Sequence, residues 1–226
     1  MPIKYMKTGR PMYFAEDGER LPSMTTVIGM LDKPALLGWA NKVGREGLTL
    51  EEARETALTI GKAAHTLIEA YCKGEEISDE ARASIPDDML EAADRCFNEF
   101  AEWARAVDLQ PISVEEPLVS EELRLGGTPD CIARVMGRVV LIDWKTSASI
   151  WPEHLIQAAG YRVLWEENYP ETKIERIELL RLGKDAPSFD HHSRSLDHDA
   201  VVCGEELLRL LRPAYDLRYR LKKATG

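Results

Sequence analysis

Two carboxylates and a lysine carry the strongest chemical signal in this chain. Asp143 and Lys145 close the apolar run Val139, Val140, Leu141, Ile142. Residues two apart on a strand share a face, so this acid and base would emerge side by side. Charge at the end of a buried strand is costly unless it has a partner or a task. Taken alone, the pair reads as a structural ion pair. Asp130 changes that reading. It follows Pro129 on the preceding strand, and a turn near Met136, Gly137 and Arg138 would bring it back toward Asp143. Two converging carboxylates repel unless a cation lies between them, and hard oxygen donors suit Mg2+ or Mn2+. The backbone carbonyl of Trp144 would face the same ion.

Two helices offer further groups. Gly61, His65 and Glu69 fall on one face at spacings of four. A glycine inside a helix costs roughly 1 kcal/mol against alanine, so Gly61 points to close approach of a backbone or a substrate. His65 is a candidate metal ligand, with a packed core histidine as the competing reading. Glu69 reads as a supporting partner or a solvated charge. Gln157 and Tyr161 share a stripe with His154 and Leu164 nearby. Gln157 could orient Lys145 or a phosphate oxygen, or be only an interfacial polar residue. His154 reads as a surface histidine.

The elements that must position these groups follow from periodicity and punctuation. Residues 1–22 are turn-rich, with a hairpin around Glu16, Asp17, Gly18 and Glu19. Residues 33–46 read as a helix anchored by Leu36, Leu37 and Trp39. Thr49 with Glu52 is a capping-box signal for a helix reaching about Cys72. Pro86 suits the first turn of another helix, with apolar repeats from Met89 to Val107. Residues 112–119, 127–136 and 139–145 then read as strands. The last of these is a nearly unbroken apolar run, as in a strand buried on both faces. A helix over 153–167 follows, then a strand over 174–182. A final helix runs from about Asp197 to Lys222, with bends near Gly204 and Pro213. This order predicts one α/β domain over 1–226. Its parts would be a mainly helical stretch (1–110), a central mixed sheet (111–185) and a C-terminal helix (186–226).

Composition bounds the setting. The chain has 226 residues and a net charge of -10, which argues against non-specific nucleic-acid binding through a basic surface. A local basic groove and bound cations can still compensate an acidic site. Basic residues gather at the ends, at Lys4, Lys7 and Arg10 and at Arg218, Arg220, Lys222 and Lys223. Solvated termini explain them more simply than a DNA track. Cysteines 72, 96, 131 and 203 stand singly, with no spacing for a zinc ribbon or an iron–sulfur set. They read as reduced thiols. No apolar run nears the roughly 20 residues that span a bilayer, so no membrane partner is expected and the location reads as cytoplasmic.

Gly61 to His65, Gly126 to Asp130, Ile142 to Ser147, and Gln157 with Tyr161 together resemble, in order and spacing, the motifs of RecB-type exonucleases of the PD-(D/E)-x-K superfamily. Leu21 to Val27 and Leu36 to Trp39 look like the entry segment of phage exonucleases and the mitochondrial genome-maintenance exonuclease. The resemblance covers residues from about 20 to 185. It implies a restriction-endonuclease-like core and one or two Mg2+ or Mn2+ ions. His65, Asp130, Asp143 and the Trp144 carbonyl would be ligands. Lys145 would position or deprotonate the attacking water, with Gln157 and Tyr161 completing the site. A glutamate before the Pro–Asp motif is typical, and Glu115 and Glu116 compete for that place, with Glu115 preferred. The cysteine set of the iron–sulfur members is missing. The implied partner is DNA, as single strands or duplex ends, in phage or bacterial recombination, repair or processing. A single-strand-annealing or replication protein is a further implied partner. Trp39, Tyr13 and Phe14 are candidates for stacking on bases, with core packing as the simpler role for each.

Overall fold

The computed structural model describes residues 3–5, 11–76, 82–83 and 85–225. Lys7 and Arg10 lie outside these. Three short strands come first: β1 (Ile3–Tyr5), β2 (Pro11–Phe14) and β3 (Arg20–Leu21). β2 and β3 form the hairpin expected around Gly18, whose φ of 83° only glycine adopts without strain. Helices α1 (Met24–Ile28), α2 (Pro34–Arg45) and α3 (Leu50–Lys73) follow. The capping box forms as read. The Thr49 N–H donates to Glu52 Oε2 at 2.9 Å, and the Glu52 N–H donates to Thr49 Oγ1 at 3.2 Å.

The anchoring of α2 differs from the expectation. Leu36 and Leu37 are 53% and 74% exposed, and Val43 is the buried residue of that helix. The next helix, α4 (Asp87–Ala106), begins one residue after Pro86, which caps it.

Five strands make the main sheet, in the order β10-β9-β8-β7-β4. They are β4 (Gln110–Val114), β7 (Cys131–Val135), β8 (Arg138–Lys145), β9 (Arg176–Arg181) and β10 (Asp190–Ser195). β8 and β9 are parallel and the other pairs antiparallel. α5 (Pro152–Asn168) makes the crossover that a parallel pair requires. The long helix α6 (Asp199–Thr225) closes the fold. β8 is buried from Val139 to Trp144, as its apolar run implied. One core lies between the sheet and α1, α5 and α6. It holds Leu141, Ile177 and Leu179 of the sheet with Leu164 and Leu208 of the helices. The other lies against α3 and α4, with Ile142, Trp144 and Leu180 facing Leu67, Ile68 and Phe100. A mixed sheet flanked by helices is the α/β architecture expected.

Three boundaries need correction. The strands read at 112–119 and 127–136 are each broken in two. The end of the first and the start of the second leave the main sheet as a separate hairpin of β5 (Leu118–Ser120) and β6 (Leu125–Gly127). Pro117 and Pro129 stand at the breaks, where a residue without an N–H cannot continue a ladder. Residues 186–226 are not helix alone, because β10 precedes α6. Gly204, where a bend was expected, has a packing role. A Cβ there would sit 3.3 Å from the Leu155 carbonyl oxygen, so the glycine lets α6 lie close on α5.

Candidate active site

The broken strands create the site. Where β4 ends, Glu115 takes a left-handed backbone conformation, φ 51°. That conformation is uncommon outside glycine and marks local strain. Its N–H still donates to the Asp130 carbonyl oxygen at 3.1 Å. The turn aims its carboxylate at His65, with Oε1 3.7 Å from Nδ1. Asp130 precedes β7. Its Oδ2 accepts the Trp144 N–H at 2.9 Å, in place of a strand partner, and its Oδ1 lies 3.9 Å from His65 Nδ1. One ligand atom from each of His65, Glu115 and Asp130 falls within 4.8 Å of the others.

Asp143 and Lys145 leave β8 on the α5 side. Trp144 points the other way, under His65 (ring centroids 5.8 Å apart) and against Phe100. N–H and C=O of one strand residue leave on the same side, so the Trp144 carbonyl faces Asp130. Asp143 is fully buried. Lys145 Nζ lies 2.6 Å from its Oδ2 as an ion pair, yet neither oxygen receives a well-aligned hydrogen bond from the described residues.

Electrostatics follow from this crowding. Burial pushes the Asp143 carboxyl up to about 6, and the charge of Asp130 adds to burial while Lys145 opposes both. Burial likewise raises Asp130 against the pull of His65 and Lys145. For His65, burial acts downward, but Asp130 and Glu115 outweigh it and hold the imidazole above its usual range. Lys145 is held above the usual lysine range because Asp143 and Asp130 overcome its burial.

From the opposite layer, α5 brings Gln157 and Tyr161. Gln157 Nε2 donates to Tyr161 Oη at 2.7 Å. Burial, with Asp143 and Asp130 nearby, pushes the Tyr161 phenol well above its ordinary value. The two glycines before the Pro–Asp pair are seats for tyrosine rings. A Cβ on Gly127 would meet Tyr161 Cε1 at 2.6 Å, and one on Gly126 would meet Tyr13 Cγ at 2.0 Å. Tyr13 is thus packed, as the simpler reading had it, and its hydroxyl lies 2.9 Å from Thr128 Oγ1. A cavity of about 500 Å3 opens beside these rings, bordered by Glu115, Thr128, Tyr161 and Lys73.

Other candidates stand apart. Glu116 contacts Ser113 and Tyr169 rather than His65. Glu69 pairs with Lys73 at 2.5 Å and lines the cavity. Gly61 is half-buried and meets no other backbone. A Cβ there would lie 3.2 Å from Thr146 Oγ1. His154 is half-buried and accepts the Trp151 N–H at the start of α5. Burial, with Lys145 and Lys33, lowers it to about 3. Thr128, Lys73 and Thr146 were not singled out in the sequence. Only contacts between distant segments reveal them.

A family model for the PD-(D/E)XK nuclease superfamily matches residues 40–212. The chain belongs to that superfamily. No curated protein matches the sequence. Among solved structures, the PD-(D/E)XK chain is similar to a candidate exonuclease from Eubacterium rectale, with 12% identity and a TM-score of 0.47. That match covers 70% of this chain and 65% of the other, so the chain spans less than two thirds of that relative. LHK-Exo in complex with dAMP matches at 14% identity and a TM-score of 0.39, covering 66% and 76% of the two chains. SSO0001 matches at 14% identity and a TM-score of 0.31, covering 69% and 74%. These likenesses are too distant to assign any residue a role.

The donor set fits a hard divalent cation. Two carboxylates and an imidazole converge, and a third carboxylate is buried beside them, its Oδ2 against Lys145 and its Oδ1 without a donor among the described residues. No helix among the described residues is long and apolar enough to cross a membrane.

Proposed function

We propose that this PD-(D/E)XK protein is a DNA exonuclease that hydrolyses phosphodiester bonds with Mg2+ or Mn2+. The observation that carries the reading is Asp143. It is a fully buried carboxylate paired with Lys145 and otherwise undersupplied with donors, next to His65, Glu115 and Asp130. Those three residues would hold the ion, with Asp143 and the Trp144 carbonyl completing its shell. When bound, such an ion acidifies water and offsets charge on the attacked phosphate.

The protein's own groups supply the rest. Lys145, kept as an ammonium by Asp143 and Asp130, stabilises negative charge as it builds on the phosphate. Tyr161 stays protonated and takes a hydrogen bond from Gln157, which leaves its hydroxyl hydrogen for a phosphate oxygen. Trp144 and the Asp130–Trp144 bond fix the height of His65 and Asp130 at the sheet end. The cavity beside Glu115 receives the strand end, with Lys73 at its rim. The setting we propose is recombination, repair or processing of phage or bacterial DNA in the cytoplasm.

The test uses end-labelled single-stranded and duplex DNA with Mg2+ or Mn2+, for the wild type, Asp143→Asn and Lys145→Ala. The wild type should yield a ladder shortening from one end, lost on chelation and in both variants. Equal degradation by all three proteins would overturn the assignment. Cleavage of a closed circle would make the enzyme an endonuclease, and metal-independent binding without cleavage would make it a silent DNA-binding module.

A further inference from the structure

The second half of α6 leaves the body of the molecule, and every residue from 216 to 225 is exposed. One stripe runs the length of the helix: Cys203, Leu207, Leu210, Ala214, Leu217 and Leu221. Their spacings alternate four, three, four, three, four, which is the a/d pattern of a coiled-coil seam. All six are exposed, with Leu210, Leu217 and Leu221 at 69%, 60% and 65%. The face that anchors α6 to the body is a different one, made by Val201, Gly204, Leu208 and Leu211. Exposed apolar residues scattered singly need no explanation. A continuous heptad stripe on a projecting helix marks an interaction surface.

Charge beside the stripe selects the occupant. Beside the body-bound half stands Glu206, and beside the projecting half stand Arg218 and Arg220, with Lys222 and Lys223 beyond them. None of Glu206, Arg218 and Arg220 has an ion-pair partner among the described residues. Two copies side by side and parallel would bring the basic ends together. Two copies antiparallel would set each basic end beside the other's unpaired Glu206. In that arrangement the stripe falls in register with itself. Cys203 meets Leu221 of the second copy, Leu207 meets Leu217, and Leu210 meets Ala214. The flanking Glu206 then faces Arg220. Pro213 occupies a flanking position, off the seam.

We propose that α6 is the dimerisation element of this protein, pairing antiparallel with α6 of a second copy along the stripe from Cys203 to Leu221. The proposal does not depend on the nuclease reading.

The test is sedimentation equilibrium on the full chain, from about 1 to 100 µM, under reducing conditions. A dimer is expected. L210E and L217E change residues exposed in the single chain, so circular dichroism, and the thermal midpoint at a concentration where both proteins are monomeric, should be unchanged while dimerisation weakens at least about tenfold. E206R and R220E should each weaken it by a few-fold, and the double variant should recover it, because the exposed pair is restored with its sign reversed. On mild oxidation L221C should give a covalent dimer through Cys203 of the second copy, and the wild type should give none. A monomer throughout the range would overturn the proposal. So would a dimer indifferent to L210E and L217E, or a wild-type dimer linked through Cys203 of both copies, which requires parallel helices.

Discussion

Two buried carboxylates stand on neighbouring parallel strands and have opposite surroundings. Glu178 on β9 is 4% exposed and Asp143 on β8 is 0% exposed, and their strands are in register at Ile142 and Glu178. Glu178 Oε2 lies 2.7 Å from His191 Nε2, and its Oε1 accepts from Ser193 Oγ at 2.9 Å, with Arg176 Nε at 3.6 Å. Its hydrogen-bonding capacity is met by β9 and β10 themselves. Asp143 has one ammonium and no well-aligned donor. An undersupplied buried acceptor is expensive to keep. A carboxylate built into strand pairing serves the fold, and one left undersupplied at the same depth is held for something that arrives.

Four substitutions break or sharpen this contrast. Asp143→Asn should lower DNA hydrolysis by about 10^3-fold, the order lost when a charged group at a reacting centre is removed, with the far-ultraviolet spectrum unchanged. Retained hydrolysis would make Asp143 a second Glu178.

Lys145→Ala leaves Asp143 and Asp130 without their ammonium. Breaking a buried pair costs roughly 3–5 kcal/mol, measurable by urea unfolding in chelator near neutral pH. The pH sign follows from Asp143. Its carboxyl titrates at about 6 in the fold, above the unfolded chain, so ionising it opposes folding and stability falls as pH rises through that range. Without the ammonium Asp143 takes up its proton at still higher pH, so the deficit of the variant should shrink as pH falls from neutral toward about 6 and level off below it. A deficit that grows there would refute this account.

Glu178→Gln should cost roughly 1–3 kcal/mol of stability and leave hydrolysis within about twofold of wild type. A large loss of activity without loss of stability would erase the distinction between the two acids. The smallest effect belongs to Gly61→Ala. Helix propensity favours alanine by roughly 1 kcal/mol, against a small adjustment of Thr146 Oγ1 at 3.2 Å, so unfolding should change by less than about 1 kcal/mol either way. Impaired DNA cleavage with intact stability would show that the bare backbone at Gly61 serves the substrate.

Much of this architecture is legible in the sequence because it is written locally. The apolar run of β8, the Thr49 box and the Gln157–Tyr161 spacing need only neighbours to be read. The misread segments depend on distant partners. Residues 190–195 are Asp, His, His, Ser, Arg and Ser, a polar string that becomes a strand only because β9 offers it an edge. Missing β10, the sequence also hid the partners of Glu178. Leu36 and Leu37 suggest an anchor by type, but burial is decided by what packs above them. Glu115 and Glu116 are adjacent and of one type, so the sequence carries no more than a preference for Glu115. The positive φ at Glu115 turns that side chain to His65 and leaves Glu116 to Tyr169. Asp130, Asp143 and Lys145 were visible as chemistry, whereas the seating of Tyr13 and Tyr161 on Gly126 and Gly127 appears only in three dimensions.

The groups at this site come from five separate places: α3, the end of β4, the start of β7, the end of β8, and α5. His65 arrives with the helical layer on one face of the sheet and Tyr161 with the layer on the other. No hairpin or helix pair taken alone holds more than a fragment of the set. The constellation therefore acts as a coincidence detector for folding, complete only when both layers have docked. Since a cation that prefers the assembled set stabilises it, the same ion would report and reward the final step of assembly.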